Sequence, residues 1–163
     1  MELDSKAACY SIAGGRRFWA KDRKLSRQTY NARSETVAEK PSFRDAWKRA
    51  RHCIIPAVAI YEPDSRTGRA VPTRISREDG ELMGIAGLWD SWTSPEGEVV
   101  NSYTMLTLNA DDHPLMKNFH RPEDEKRMVV ILPKGFYADW LNATAANSHE
   151  FIKRFPADRL RAE

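Results

Sequence analysis

The 163-residue sequence has no run of about 18 uninterrupted apolar residues, so a membrane-spanning helix is not expected. The amino-terminal stretch MELDSKAACYSIAGG lacks the basic flank and apolar run of a secretory signal, which argues against export. Cysteine is scarce. Cys9 and Cys53 cannot build a disulfide framework, and no CxxC or Cys/His ligand spacing occurs. These absences point to a cytoplasmic protein without a membrane partner. The signatures of several common chemistries are missing as well: there is no GxSxG, GxxxxGK[ST], GxGxxG or HExxH. No repeat, linker or low-complexity tract divides the chain, so residues 1–163 are expected to form one domain.

What is present is an uneven charge. Residues 1–77 carry 17 Lys and Arg against 8 Asp and Glu, whereas residues 78–163 carry 9 against 15, behind a net charge of only +3. In the first half the cations alternate with aromatics (Arg16, Arg17, Phe18, Trp19, Lys21, Arg23, Lys24, Arg27, Tyr30). That mixture suits single-stranded nucleic acid, with cations for phosphates and flat rings for unstacked bases, and it equally suits a solvated basic surface.

Residues 1–18 show no clear period and are expected to be irregular. Pro41 and Ser42 offer a helix start, and Phe43, Ala46, Trp47 and Ala50 follow at i, i+3, i+4 and i+7, which predicts an amphipathic helix. CIIPAVAIYE at 53–62 reads as one buried strand, with Pro56 arguing for an edge or a bulge. VPTRISR and LMGIAGLWDSW read as an antiparallel pair joined at Asp79-Gly80, and VVNSYTMLTLNA and RMVVIL as further strands. DDHPLMKNFH, PKGFYADWLNA and NSHEFIKRF read as helices. The fold class expected is α+β, with a mainly antiparallel sheet or partly open barrel flanked by helices.

Three places could carry chemistry. Glu62 ends an apolar run, where desolvation would raise its pKa and suit it to proton transfer, although strand ends also carry solvated acids. His120 lies between an apolar segment and a charged loop and reads either as a cleft imidazole or as a surface residue at a helix C-terminus. Asn31 and Arg33 are two apart in NARSET, so in extended backbone an amide and a guanidinium project on one side. Asp111, Asp112, His113 and His120 allow a metal site, but Asp-Asp-His-Pro fits an Asx-type turn equally well; no metal or other cofactor is expected.

Taken in order, WAKD at 19–22, NARSETVAEKPSFRDAW at 31–47, CIIPAVAIYE at 53–62, MGIAGLWDSW at 83–92, YTMLTLNADDHPLM at 103–116 and FHRPEDEKRMVVIL at 119–132 resemble the SOS response-associated peptidase (SRAP) family. The resemblance implies a bacterial, nucleoid-associated protein. It would bind single-stranded DNA, capture the ring-opened aldehyde of an abasic site as a thiazolidine on an amino-terminal cysteine, and process itself as a peptidase, a chemistry of hydrolase and lyase type. It also implies roles: Asn31 holding the cysteine and the sugar, Glu62 as acid and base, and His120 assisting proton transfer. Arg33 and Arg127 would then contact DNA, and Trp19 would stack on bases. A monomer is expected.

The sequence departs from that pattern in three ways. It begins Met1-Glu2 rather than Met-Cys and reaches Trp19 at once, so the family's cysteine-bearing front is expected to be missing, leaving an unpaired sheet edge. Cys9 offers a thiol without an α-amine. Pro63 stands where the family commonly has tryptophan, and the PEDEK stretch lengthens the spacing from His120 to Arg127. The alternatives to a crosslinking protein are therefore a non-catalytic single-strand-binding remnant and a non-functional fragment.

Overall fold

The computed structural model describes residues 29–93 and 95–163. Trp19, Cys9 and the irregular segment expected over 1–18 lie outside the described residues.

The strands are β1 (Asn31–Arg33), β2 (His52–Ala57), β3 (Ile60–Asp64), β4 (Val71–Arg77), β5 (Met83–Thr93), β6 (Val99–Asn109), β7 (Arg127–Val129), β8 (Ile131–Leu132) and β9 (Leu160–Ala162). Among the described residues two α-helices accompany them, α1 (Arg44–Lys48) and α2 (Tyr137–Asn142). The larger sheet runs β1-β6-β5-β2, with β7 joined to β6 and β8 to β5. All its pairings are antiparallel except β1 on β6, where Asn31 faces Met105 and Arg33 faces Thr107 in parallel register. Val130 curls this sheet: its N–H donates to the Leu106 carbonyl at 2.9 Å, while its own carbonyl accepts from Ala86 N at 2.8 Å. The β7–β8 segment thus bridges β6 and β5 and bends the sheet into a half barrel. The architecture is α+β and mainly antiparallel, as expected from the strand pattern.

The smaller sheet is β3-β4-β9. The core lies within the curled sheet and against the carboxy-terminal segment, where Ile75, Ile85, Leu106, Phe119, Leu132 and Trp140 are all buried. Burial on both faces explains why β5 begins with six consecutive buried residues, Met83 to Leu88, instead of alternating. Gly87 is required there, because a Cβ would lie 2.6 Å from the Thr104 carbonyl and 3.1 Å from Cys53 Sγ.

The expected elements differ from the observed ones in several places; the helix expected over DDHPLMKNFH is reduced to a 3-10 turn at Met116–Asn118, where the Met116 N–H is taken by His113 Nδ1 instead of a helical ladder. The 53–62 run is two strands, not one: β2 pairs with β5, and the chain then leaves at Val58-Ala59 so that β3 can pair with β4. Pro56 does sit on an edge, since β2 ends its sheet and the missing N–H breaks no ladder. β4 and β5 do not form a hairpin. A turn with Gly80 at φ +72 is present, yet it hands the chain from the small sheet to the large one. The helix at 43–50 shrinks to five residues, because Ala50 turns left-handed (φ +49) and lets Arg51 N donate to the Ala46 carbonyl before β2 begins. The carboxy-terminal helices are likewise a single turn and a half of α2 plus 3-10 turns, followed by β9, whose short apolar content carried no strand signal. No helix among the described residues is long and apolar enough to cross a membrane.

Candidate active site and nucleic-acid interface

β3 presents Ile60, Glu62 and Asp64 on one side, opposite Ile75, Thr73 and Val71 of β4. Because Ile75 is fully buried, that side faces inward and carries Glu62 with it. The Glu62 side chain is 18% exposed, and burial pushes its carboxyl up to about 7. His120 Nε2 lies 3.3 Å from Glu62 Oε2 without the alignment of a hydrogen bond. Backbone contacts hold His120 there. Its N–H donates to the Pro63 carbonyl at 2.7 Å, it bridges to Asp64 in parallel, and its φ of +62 is a left-handed conformation uncommon outside glycine.

A second group forms around β1. The alternation Asn31 exposed, Ala32 buried, Arg33 exposed puts the amide and the guanidinium on one face, as the two-residue spacing predicts. They line a shallow cleft of about 360 Å³ with Thr29, Thr36, Lys40, Pro41, Ser42 and Phe43. Arg33 Nη1 donates to Glu125 Oε2 at 2.6 Å. Arg127 is mostly buried. Its Nη1 donates to Glu125 Oε1 at 2.7 Å, and its Nη2 to Glu35 Oε2 at 2.8 Å and the Thr107 carbonyl at 2.9 Å. Asn109 Nδ2 donates to Glu125 Oε1 at 3.1 Å and to Asp111 Oδ2 at 2.7 Å. These bonds hold the carboxyls of Glu125 and Asp111 below their ordinary range.

The structure therefore sorts the described candidates into two groups, Glu62 with His120, and Asn31, Arg33 and Arg127 around Glu125; the 121–126 loop runs from one group to the other. Glu35 and Glu125 carry this network and were not singled out from sequence. A signal was available, since each lies two residues from an arginine, the spacing that shares a face in extended backbone.

Asp111 and His113 serve the backbone. Asp111 Oδ1 accepts from Lys126 N at 2.7 Å, and His113 Nδ1 accepts from Met116 N at 3.1 Å while its Nε2 meets the Phe155 carbonyl at 2.8 Å. The turn reading of Asp-Asp-His-Pro fits this use. Among the described residues no group of three or more His, Cys, Asp or Glu converges as a metal site.

A buried Ser–His contact also occurs, where Ser148 Oγ and His52 Nε2 are 2.9 Å apart. The hydroxyl gives its proton to the Thr144 carbonyl at 2.8 Å, so His52 is the donor in the pair and cannot act as a base toward Ser148. His52 packs 4.0 Å from the Trp140 ring, and burial pushes its imidazole down to about 4.

The smaller sheet carries a buried carboxyl beside an imidazole, and the curled larger sheet carries a guanidinium-lined cleft at β1, groups able to exchange protons and to pair with an anion. The chain belongs to the SOS response associated peptidase (SRAP) family, whose model matches residues 8–163. It is 39% identical over 127 residues to the abasic site processing protein YoqW of Bacillus subtilis, covering 76% of this chain and 52% of that protein. Against the abasic site processing protein HMCES of Rattus norvegicus the identity is 27%, covering 84% of this chain and 45% of that one. The chain spans about half the length of the curated relatives it matches. A crystal structure of a Bordetella bronchiseptica protein superposes with a TM-score of 0.81 at 53% identity, covering 93% of this chain and 72% of that one. One from Bacteroides thetaiotaomicron gives 0.81 at 25% identity, covering 92% and 66%.

Proposed function

We propose that the chain acts as one domain on abasic sites in single-stranded DNA, with Glu62 and His120 moving protons and Arg33 holding a phosphate. The observation that carries this reading is the burial of Glu62 against His120. An abasic sugar is mostly a closed hemiacetal, and opening it to the aldehyde needs a proton delivered to the ring oxygen and one removed from the hydroxyl. A carboxyl with a pKa of about 7 is divided between acid and base forms at neutral pH, so one residue serves both transfers. His120, 3.3 Å away, receives or returns the proton between steps. Asn31 lies on the same face as Arg33 and orients the sugar while the guanidinium takes the phosphate.

The covalent step of the family chemistry needs an amine and a thiol on one carbon frame: the amine condenses with the aldehyde and releases one water, and the thiol then adds to the resulting imine to close the ring. Among the described residues the one cysteine, Cys53, is buried in β2 and presents no thiol to an aldehyde. That supports a second reading, in which the chain recognises the lesion and binds the strand without a crosslink.

The test is incubation of the full chain with single-stranded DNA carrying one abasic site, followed by native and denaturing gels. The comparison chain is a variant whose amino terminus is Met-Cys, so that removal of the methionine would offer an amine and a thiol on one residue. A band that survives denaturation with either chain supports the acid–base assignment, provided Glu62→Gln slows its formation. Retention on the native gel alone supports the binding reading. Retention on neither gel by either chain overturns both.

A further inference from the structure

Glu125 is the shared partner of two guanidinium groups and one amide. Its Oε2 accepts from Arg33 at 2.6 Å, and its Oε1 accepts from Arg127 at 2.7 Å and Asn109 at 3.1 Å. The two arginines differ in what else they hold. Arg127 has a 14% exposed side chain and keeps Glu35 Oε1 at 3.2 Å and Oε2 at 2.8 Å, and the Thr107 carbonyl at 2.9 Å and hydroxyl at 3.1 Å. Arg33 is 58% exposed, and among the described residues its ion-pair partner is Glu125. Charge follows the same division. Two cations face the carboxylates of Glu35 and Glu125, so the cluster as it stands is close to neutral and repels no anion, but it offers none a free guanidinium either.

We propose that Glu125 is a built-in competitor for the phosphodiester at Arg33, so that strand binding proceeds by exchange of carboxylate for phosphate and Glu125 sets how tightly DNA is held. This rests on the reading of Arg33 as a phosphate contact. The exchange frees Arg33 and leaves Arg127 anchored, because four contacts to Arg127 survive the departure of Glu125. The 121–126 loop that carries Glu125 begins at His120, so the residue that leaves and the residue that moves protons belong to one segment. An incoming strand would therefore be registered next to the acid–base pair as it binds.

The experiment measures binding of the full chain to a fluorescently labelled, undamaged oligo-dT strand by anisotropy across a salt series, so that no lesion chemistry contributes. Glu125→Gln keeps the shape and removes the competing charge; it should bind about two- to fivefold tighter, the range an exposed ion pair spans. Its plot of log affinity against log salt should keep the slope of the unaltered chain, since Arg33 meets the same phosphate in both. Asp124→Asn makes the same change in net charge one residue away and should match the unaltered chain. Placing Glu125→Gln on Arg33→Ala should abolish the gain. Weaker binding by Glu125→Gln at an unchanged melting temperature would mean that Glu125 orients Arg33, and would overturn the proposal. An equal gain from Asp124→Asn would reduce the effect to bulk charge and overturn it too. If Arg33→Ala leaves affinity unchanged, the phosphate reading itself fails and takes this proposal with it. Glu125→Ala, which removes both the carboxylate and any amide substitute, serves if the glutamine variant melts early, and the same direction is expected.

Discussion

The Glu62 carboxyl and the His120 imidazole meet at 3.3 Å because the backbone fixes them, not because their side chains bond. His120 N–H donates to the carbonyl of Pro63, the residue next to Glu62, and the left-handed φ of His120 turns its ring back toward the strand. The contact is thus preorganised before any ligand arrives.

The first prediction concerns pH. A Glu62 carboxyl at about 7 is the proton donor for ring opening below that value and loses the role above it. Processing of abasic DNA should fall as pH rises through about 7, and Glu62→Gln should be slower by about 100-fold or more with that limb gone. A pH–rate profile checks this; a limb that persists in the variant contradicts the assignment.

The second concerns strand affinity. Arg33→Ala should weaken binding to single-stranded DNA and lower the salt slope by about one, since one phosphate contact is lost. A salt titration reads the slope directly, and an unchanged slope would remove Arg33 from the interface.

The third concerns stability, where two buried groups pull in opposite directions. Glu62 titrates at about 7 folded and near 4.5 unfolded, so the folded chain binds the extra proton and stability falls as pH rises between those values. His52 titrates at about 4 folded and near 6.5 unfolded, so stability falls as pH drops through that window. Each effect is at most about 3 kcal/mol. Thermal melts from pH 4 to 8 should therefore show a flattened profile in the unaltered chain. Glu62→Gln should expose an acid loss and raise the melting temperature at pH 8, while His52→Gln should leave stability falling as pH rises.

The fourth concerns β5. Gly87→Ala drives a methyl against the Thr104 carbonyl, a backbone atom that cannot rotate away, and should cost about 1–3 kcal/mol in chemical denaturation. Gly135→Ala, where a Cβ would meet nothing within 4 Å, should stay near the unaltered value.

Much of the architecture was legible where one physical signal dominated. The alternation in VVNSYTMLTLNA became β6, Pro56 marked an edge, and the i, i+2 spacing of Asn31 and Arg33 put both on one face. Sheet membership was not legible. The break at Val58-Ala59 and the parting of β4 from β5 depend on pairing with β9, far along the chain, and no local period encodes that. At the site, the raised pKa of Glu62 followed from the apolar run before it. The role of Glu125 did not, because within PEDEK it is one of three acids and only the fold selects which one reaches the arginines.

The pairing of β9 with β4 has a consequence for how the site comes into being. Ile75, Ser76 and Arg77 face Ala162, Arg161 and Leu160, and Arg74 and Glu163 exchange both backbone hydrogen bonds, at 3.0 and 2.8 Å. The sheet that carries Glu62 is thus completed by residues synthesised long after it. A ribosome must release this stretch before the strand bearing the acid gains its full set of neighbours, so folding of the site is delayed relative to the β5–β6 hairpin, whose partners are close in the chain. A nascent chain stalled short of residue 160 would be expected to hold the hairpin and to be cut readily by protease in β3 and β4.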